Sequence, residues 1–324
     1  MSVFSALLLA YSFNCLPSRA MPNQPSALAM IPTLVDDIAQ QQYPTAALYV
    51  VATPIGNVAD ISLRALHVLS LVDAIACEDT RNTGLLLSRY GLAKPLIAVH
   101  QHNEREMAHQ LISRLQAGER IALVSDAGTP AVSDPGARVV DVVRAAGLRV
   151  IPLPGPSAPI TALSASGLIN NQFFFVGFLP PAATQRKTAL GALRQLSATL
   201  IFLEAPHRIV DTLKDMTAIF EPTRHIVIAR ELTKLFEEMQ RCPLSEAADW
   251  LAGQATRTKG EFVLLLEGSP RTTDADTMEA DRVLDILLTE LPVSQAAALA
   301  ARLTGQKKNA LYQRALARAP QRKD

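Results

Sequence analysis

Between an apolar run, Ile121 to Val124, and a helical pattern with Val139, Val140 and Val143 on one face lies Ser125-Asp126-Ala127-Gly128-Thr129-Pro130-Ala131-Val132-Ser133-Asp134-Pro135-Gly136. A strand hands over to a helix here, through a loop that two prolines stiffen and two glycines open to close backbone approach. In open α/β sheets ligands bind outside the carboxyl ends of strands. The ligand site is expected to start at this loop. Asp134 followed by Pro135 predicts the start of the helix, an N-cap oxygen and then a fixed φ. Asp126 stands at the strand end before any helix needs it, equally placed for a ligand contact and for a structural role.

The same handover recurs along the chain. Leu48 to Ala52 reads as a buried strand, Thr53 to Asn57 as a loop and Ser62 to Leu71 as a helix. Ala74 to Cys77 is a strand ending in Glu78-Asp79-Thr80-Arg81, followed by a helix from Thr83 to Arg89 that Gly91 stops. Leu96 to Val99 is a third strand, ending in His100-Gln101-His102-Asn103. The two histidines have no carboxylate or cysteine at ligand spacing, so no metal is expected, and Asn103 reads as a cap for a helix from Glu104 to Gln116. Leu148 to Leu153 is a fifth strand, followed by Pro154-Gly155-Pro156-Ser157 and a small-residue helix to Ser166. Strands alternating with helices imply a parallel sheet.

A second set begins at the aromatic strand Phe173 to Phe178, which a polar segment, Pro180 to Lys187, and a helix to Leu196 follow. Strands at Thr199 to Leu203, His225 to Ala229 and Phe262 to Leu266 come next, with helices to Ile219 and from Leu244 through Trp250. After a polar linker, Ser269 to Thr277, short helices remain: about Glu279 to Leu288, Ser294 to Leu303 and Lys307 to Ala317. The last two flank Thr304-Gly305-Gln306, which resembles a helix-turn-helix; a solvated helical cap is the alternative.

With 324 residues two domains are expected, 46–167 and 168–270, ahead of a helical tail, 276–318. Thirty-one basic residues nearly balance 30 acidic ones, so no global field marks nucleic acid. The balance is local: Arg302 to Asp324 holds seven bases and one acid, a net +6 that favours contact with phosphates. Three separated cysteines, Cys15, Cys77 and Cys242, form neither a disulfide framework nor a metal spacing. No run of 18 apolar residues occurs, so no membrane span is expected. Residues 1–45 read as a disordered or wrongly included leader, with Met21 or Met30 as alternative starts; the positive region of a secretory signal is missing.

The nucleotide-binding glycine motifs, the P-loop, the HExxH zinc motif and the GxSxG elbow are all missing. Five other motifs, each at a strand end, are present: Leu48 to Asn57, Cys77 to Arg81, Ser125 to Pro130, Pro152 to Pro156, and Ala229-Arg230-Glu231-Leu232-Thr233-Lys234. Together with the basic tail they resemble the bacterial small-subunit rRNA ribose methyltransferases of the tetrapyrrole methylase superfamily, over about Ala46 to Leu316. The resemblance implies a two-domain α/β fold with a small C-terminal helical domain. It also implies S-adenosylmethionine in the cleft between the domains, a cytoplasmic homodimer, and 2′-O-methylation of cytidine 1402 of 16S rRNA in the assembled 30S subunit.

Carried onto this chain, the resemblance places the cofactor against Thr53, Pro54, Ile55 and Gly56; Ser125, Asp126, Ala127, Gly128, Thr129 and Pro130; and Pro154, Gly155, Pro156 and Ser157. The second domain would add Phe202, Leu203, Ala229 and Gly260. Leu203 departs from the family, where many relatives carry an aromatic residue. Methyl transfer to a ribose hydroxyl needs alignment and a group that takes the proton. Among strand-end candidates, Glu78 and Glu231 are favoured over Asp79, Asp126, His207 and Glu261. Arg81, Arg208, Arg230 and Lys259, with Lys307, Lys308 and Arg314 of the tail, are the expected RNA contacts. For Glu78, Arg81 and Arg230 the alternative is an ion pair that braces a loop. A tetrapyrrole-modifying enzyme would share the fold without needing the basic tail, and a non-enzymatic ribosome factor would not need the loops.

Overall fold

The computed structural model describes residues 31–100, 103–270 and 273–318. Its first sheet contains β1 (Ala47–Val51), β2 (Ala74–Cys77), β3 (Leu96–Ala98), β4 (Arg120–Leu123) and β5 (Arg149–Leu153), all parallel, in the order β3-β2-β4-β1-β5. Strand β2 is buried at every position and β4 at three of four, which is why they read as continuous apolar runs. Helices α1 (Ile31–Ala39), α2 (Leu63–Leu71) and α3 (Thr80–Arg89) pack on one face, around Val68, Leu69 and Leu87. Helices α4 (Glu104–Gln116) and α5 (Ala137–Ala145) cover the other with Leu111, Leu115, Val139 and Val143. The connection from β1 and the connection from its neighbour β4 leave in opposite directions, so the order reverses there and opens a crevice.

Helix α6 (Ala158–Ala165) leads to a second sheet: β6 (Phe173–Phe178), β7 (Thr199–Glu204), β8 (His225–Arg230), β9 (Glu238–Pro243) and β10 (Phe262–Leu266). Its order is β6-β7-β10-β8-β9, with β6 and β7 parallel and every other pair antiparallel. Helices α7 (Ala183–Leu193), α8 (Ile209–Ile219) and α9 (Ala247–Ala252) cover one face, over Leu200, Phe202, Ile228 and Leu264. The other face, with Ile201, Val227, Val263 and Leu265, packs against Ala162 of α6 and Ile55 of the first sheet's loops. Helices α10 (Thr273–Glu290), α11 (Val293–Thr304) and α12 (Lys308–Arg318) form a small bundle on Ala280, Leu284, Ala297, Ala300, Leu311 and Ala315. Gly305 closes α11 with φ +70°, a left-handed cap that glycine supplies without strain.

Several expectations are corrected. Strand β9 has no sequence signature, because it is a partly exposed edge strand whose burial rises fully only at Cys242. The second sheet is mixed, because β10 runs antiparallel to both β7 and β8. The polar stretch to Lys187 includes the first turns of α7, where Arg186 is buried and pairs with Asp215 at 2.6 Å. The expected leader to residue 45 includes α1, and Tyr43 is part of the first core. Residues 1–30, with Met21, Met30 and Cys15, lie outside the described residues, as do Gln101 and His102. Asn103 stands at the N-cap position of α4 but its side chain makes no capping bond; its Oδ1 accepts from the His100 N–H at 2.8 Å and its Nδ2 donates to the Ala98 carbonyl, holding the loop after β3.

Candidate active site

Three loops at the carboxyl edge of the first sheet are laced together mainly by backbone groups. Thr53 and Gly128 exchange hydrogen bonds of 2.9 and 3.0 Å, and the Thr53 hydroxyl donates to the Ser125 carbonyl at 2.9 Å. The Thr129 hydroxyl donates to the Pro156 carbonyl at 3.0 Å. Gly155 lies so close to β1 that a Cβ there would stand 2.7 Å from the Ala52 Cβ. Gly128, at φ +83°, adopts a conformation that a side chain would strain. The loops after β1, β4 and β5 thus form one rigid floor.

The second sheet closes over this floor. The Asn57 N–H donates to the Thr233 hydroxyl at 3.1 Å, and a Cβ on Gly56 would meet Lys234 at 2.5 Å. At the other end a Cβ on Gly177 would lie 2.8 Å from the Ser133 hydroxyl, where β6 bulges between Phe175 and Gly177. Between these contacts is a cleft of about 370 Å³, the size of a small-molecule site. Ile55, Ala127, Gly128, Thr129 and Ser157 line it from one side, Leu203 and Leu232 from the other. Val132, Asp134, Phe178, Ala205 and Pro206 line it as well.

Of the expected cofactor residues, Thr53 is buried beneath this lining, Pro54 and Pro130 stand within the laced loops, and Gly56 and Gly155 act through close approach. Pro154 and Pro156 flank Gly155, and Pro156 offers the carbonyl that Thr129 binds. Asp126 accepts from the Asn82 side chain at 2.7 Å and from the Asp79 N–H at 3.3 Å, outside the cleft wall. Phe202 is corrected: alternation along β7 turns Leu203 to the cleft and Phe202 into the core on the far face. Ala229 is buried beneath Leu232 in the inter-sheet core, and Gly260, at φ +95°, makes room for Glu231.

The carboxylates separate clearly. Glu231 is held at φ +52°, its Oε1 accepting from Lys234 Nζ and from the Glu261 N–H, both at 2.9 Å. Burial raises its pKa, but the Lys234 and backbone hydrogen bonds outweigh that and hold it below the usual range. Glu231 therefore braces the loop after β8 and is a poor proton acceptor. Glu78 is half-buried but is not on the cleft wall; burial, then Asp126 and Asp79, raise its pKa. Asp79 caps α3 and binds Arg81, whose hydrogen bonds lower its pKa to about 2.

Sequence reasoning missed Asp134. Helix α5 begins at Ala137 behind Gly136, whose N–H is taken by Glu104 Oε1, so Asp134 caps nothing. It lines the cleft, and burial, then the charge of Glu78, pushes its pKa up to about 6. Two further cleft carboxylates are committed to partners. Glu204 binds Arg208 at 3.2 Å and Thr212 at 2.6 Å, and Glu261 binds Lys234 at 2.9 Å.

The expected RNA contacts divide in the same way. Arg208 donates to the Leu179 and Pro180 carbonyls besides pairing with Glu204, and Arg230 donates to the Lys259 carbonyl and Glu238; both are structural. Arg314 pairs with Asp281, and its neighbour Arg318 with Asp281 and Asp285, within the bundle. Arg81 is 86% exposed, and Lys259, Lys307 and Lys308 are exposed.

A family model for tetrapyrrole (corrin/porphyrin) methylases matches residues 47–248, the whole first sheet and all of the second but β10. The chain belongs to the tetrapyrrole methylase family. A second model, the C-terminal helix-turn-helix domain of RsmI, matches residues 274–319. Similar proteins include the ribosomal RNA small subunit methyltransferase I of Haemophilus influenzae, 50% identical over 275 residues, covering 84% of this chain and 97% of the relative. That of Pseudomonas aeruginosa is 51% identical over 273 residues, with the same coverage of 84% and 97%. Among solved structures, diphthine synthase shares the fold with a TM-score of 0.54 at 17% identity, covering 68% of this chain and 90% of that one. Cobalt precorrin-4 methyltransferase does so with a TM-score of 0.52 at 16% identity, over 68% of this chain and 95% of that one. Neither of these two tetrapyrrole-methylase-like structures speaks to substrate at such identity.

Proposed function

We propose that this tetrapyrrole methylase family member is an S-adenosylmethionine-dependent methyltransferase of small-subunit rRNA. Its target is the ribose 2′-hydroxyl of cytidine 1402, in the assembled 30S subunit, and it works as a cytoplasmic homodimer. The observation that carries this reading is the pairing of a methylase cleft with an RNA-binding type of tail in one chain, an arrangement that the small-subunit methyltransferase I relatives share over 97% of their length.

The cleft fits the cofactor on its own chemistry. Its wall carries three carboxylates, Asp134, Glu204 and Glu261, and no lysine or arginine, an environment that suits a cationic sulfonium and repels anions. Gly128 and Ala127 expose backbone to it, while Ile55, Leu203, Leu232 and Val263 offer apolar surface. When bound, the cofactor supplies an electrophilic methyl group. The residues of the chain hold and orient the partners: the laced floor fixes the cofactor's polar groups, and the exposed face of Phe178 offers a base a surface for stacking. Exposed Lys307 and Lys308 place positive charge where phosphates can reach it.

The test is transfer of labelled methyl groups to 30S subunits lacking this modification, comparing the full chain with one ending at Pro270, followed by mapping of the label. Label on one decoding-centre ribose, lost on truncation while cofactor binding persists, is the expected result. Cofactor binding without transfer to subunits or free rRNA overturns it.

A further inference from the structure

We propose that Asp134 is the catalytic carboxylate of the methyl transfer, accepting the proton of the attacking hydroxyl from its place on the cleft wall; the inference rests on reading the cleft as a methyl-transfer site. The position resembles a helix cap in sequence, yet α5 starts three residues later with Gly136 at its N-cap position, and Glu104 takes the Gly136 N–H. Helix formation does not require Asp134. The loop that presents it is strained just ahead of it, since Ala131 and Ser133 both hold φ +66° without being glycine. Such backbone persists where the surroundings enforce it and clusters at functional sites. Gly177 of the bulged β6 packs against this segment, so close that a Cβ there would stand 2.8 Å from the Ser133 hydroxyl.

Asp134 is also the cleft carboxylate without a cationic partner, since Glu204 is committed to Arg208 and Glu261 to Lys234. The charges that act on it are acidic: Glu78 from the end of β2, then Asp126 from the end of β4, opposed only by a hydrogen bond with the Ser125 side chain that lowers its pKa, while Glu204 and Glu261 share the cleft wall from the second sheet. Burial and this company give it a proton affinity near neutrality, which suits a general base better than the lowered Glu231.

In the step itself, a lone pair of the hydroxyl oxygen forms the O–CH3 bond as the S–CH3 bond of the sulfonium donor breaks, its electron pair staying on sulfur. The hydroxyl proton passes to an Asp134 oxygen and then to water.

The full chain and its Asp134→Asn and Asp134→Glu variants would be assayed by single-turnover transfer to undermethylated 30S subunits across about pH 5 to 9. Cofactor affinity would be measured by calorimetry, and side-chain carboxyl titration by NMR on aspartate-labelled protein. Asp134→Asn is expected to lose about a hundredfold or more in rate, together with the acid limb of the profile, while cofactor affinity falls by no more than about tenfold, the loss of one cleft charge. Asp134→Glu should recover part of the rate, and the wild-type carboxyl resonance that titrates near pH 6 should vanish in Asp134→Asn. An Asp134→Asn rate within about threefold of wild type, or the same acid limb, overturns the proposal alone. Wild-type protein that binds cofactor and transfers nothing overturns the parent reading and the proposal with it.

Discussion

Asp134 sets function against stability at a single residue. Its folded pKa lies near 6 against an ordinary value of 3.8, so the native state binds the proton more tightly than the unfolded chain. Above about pH 6 the ionised carboxylate is an unfavourable guest. As pH falls through 6 towards 4 that cost disappears, because the folded state protonates first. Asp134→Asn is therefore expected to stabilise the protein at pH 8 by about 1–2 kcal/mol, allowing for solvent screening, and to lose that advantage near pH 4. Urea unfolding at the two pH values measures it, and equal stabilities at pH 8 would contradict the assignment of a strained, desolvated acid. Arg208 gives the opposite lesson. It resembled an RNA contact because it follows a strand end, but its partners are the buried Glu204 and two carbonyls. Arg208→Ala should cost about 3 kcal/mol by leaving that carboxylate uncompensated. It should leave the salt dependence of RNA binding unchanged for the molecules that remain folded.

At the scale of elements, the site is made by loops whose backbones touch. Gly155→Ala tests this, since the added methyl would lie 2.7 Å from the Ala52 Cβ and must push the loop after β5 away from β1. The Thr129 to Pro156 bond crosses that seam, so cofactor affinity should fall about tenfold, roughly 1.4 kcal/mol, with the secondary structure intact. Calorimetry with S-adenosylmethionine and far-UV dichroism report the two halves of that expectation. Why these loops were legible follows from the same physics: Thr53 to Gly56, Ser125 to Pro130 and Pro154 to Ser157 carry glycine and proline at buried strand ends, a local signal. Parallel strands wrapped on both sides gave clear apolar runs. What failed was non-local. Strand β9 needed its neighbour β8 to become a strand, and Glu104 reached Gly136 across 32 residues to relieve Asp134 of capping. Phe202 and Leu203 were both apolar in sequence, and only the pleat decided which of them faced the cleft.

For the whole molecule the question is how a cleft lined with acids can act on a polyanion. The charge is divided in space: excluding the last 23 residues the chain has a net −5, and those residues carry +6. Even in the tail the charge is partly spent, because Arg314 and Arg318 clamp α12 to Asp281 and Asp285 of α10. Lys307 and Lys308, at the exposed start of α12, are left to meet phosphate. A division of labour follows, in which the tail supplies non-specific affinity and the cleft, poor in attraction for phosphate, admits only a ribose and base presented by shape. Replacing Lys307 and Lys308 together by alanine should weaken binding to subunits and reduce the slope of log affinity against log salt by roughly 2. The methylation rate at saturating subunit concentration should stay unchanged, because neither lysine reaches the cleft. Arg314→Ala should behave differently: it loosens the bundle and lowers the melting temperature of the tail before it alters the salt slope. Binding titrations at several salt concentrations separate the two. If the arginine variant lost the slope and the lysine pair did not, the phosphate-facing surface would lie on the opposite side of α12.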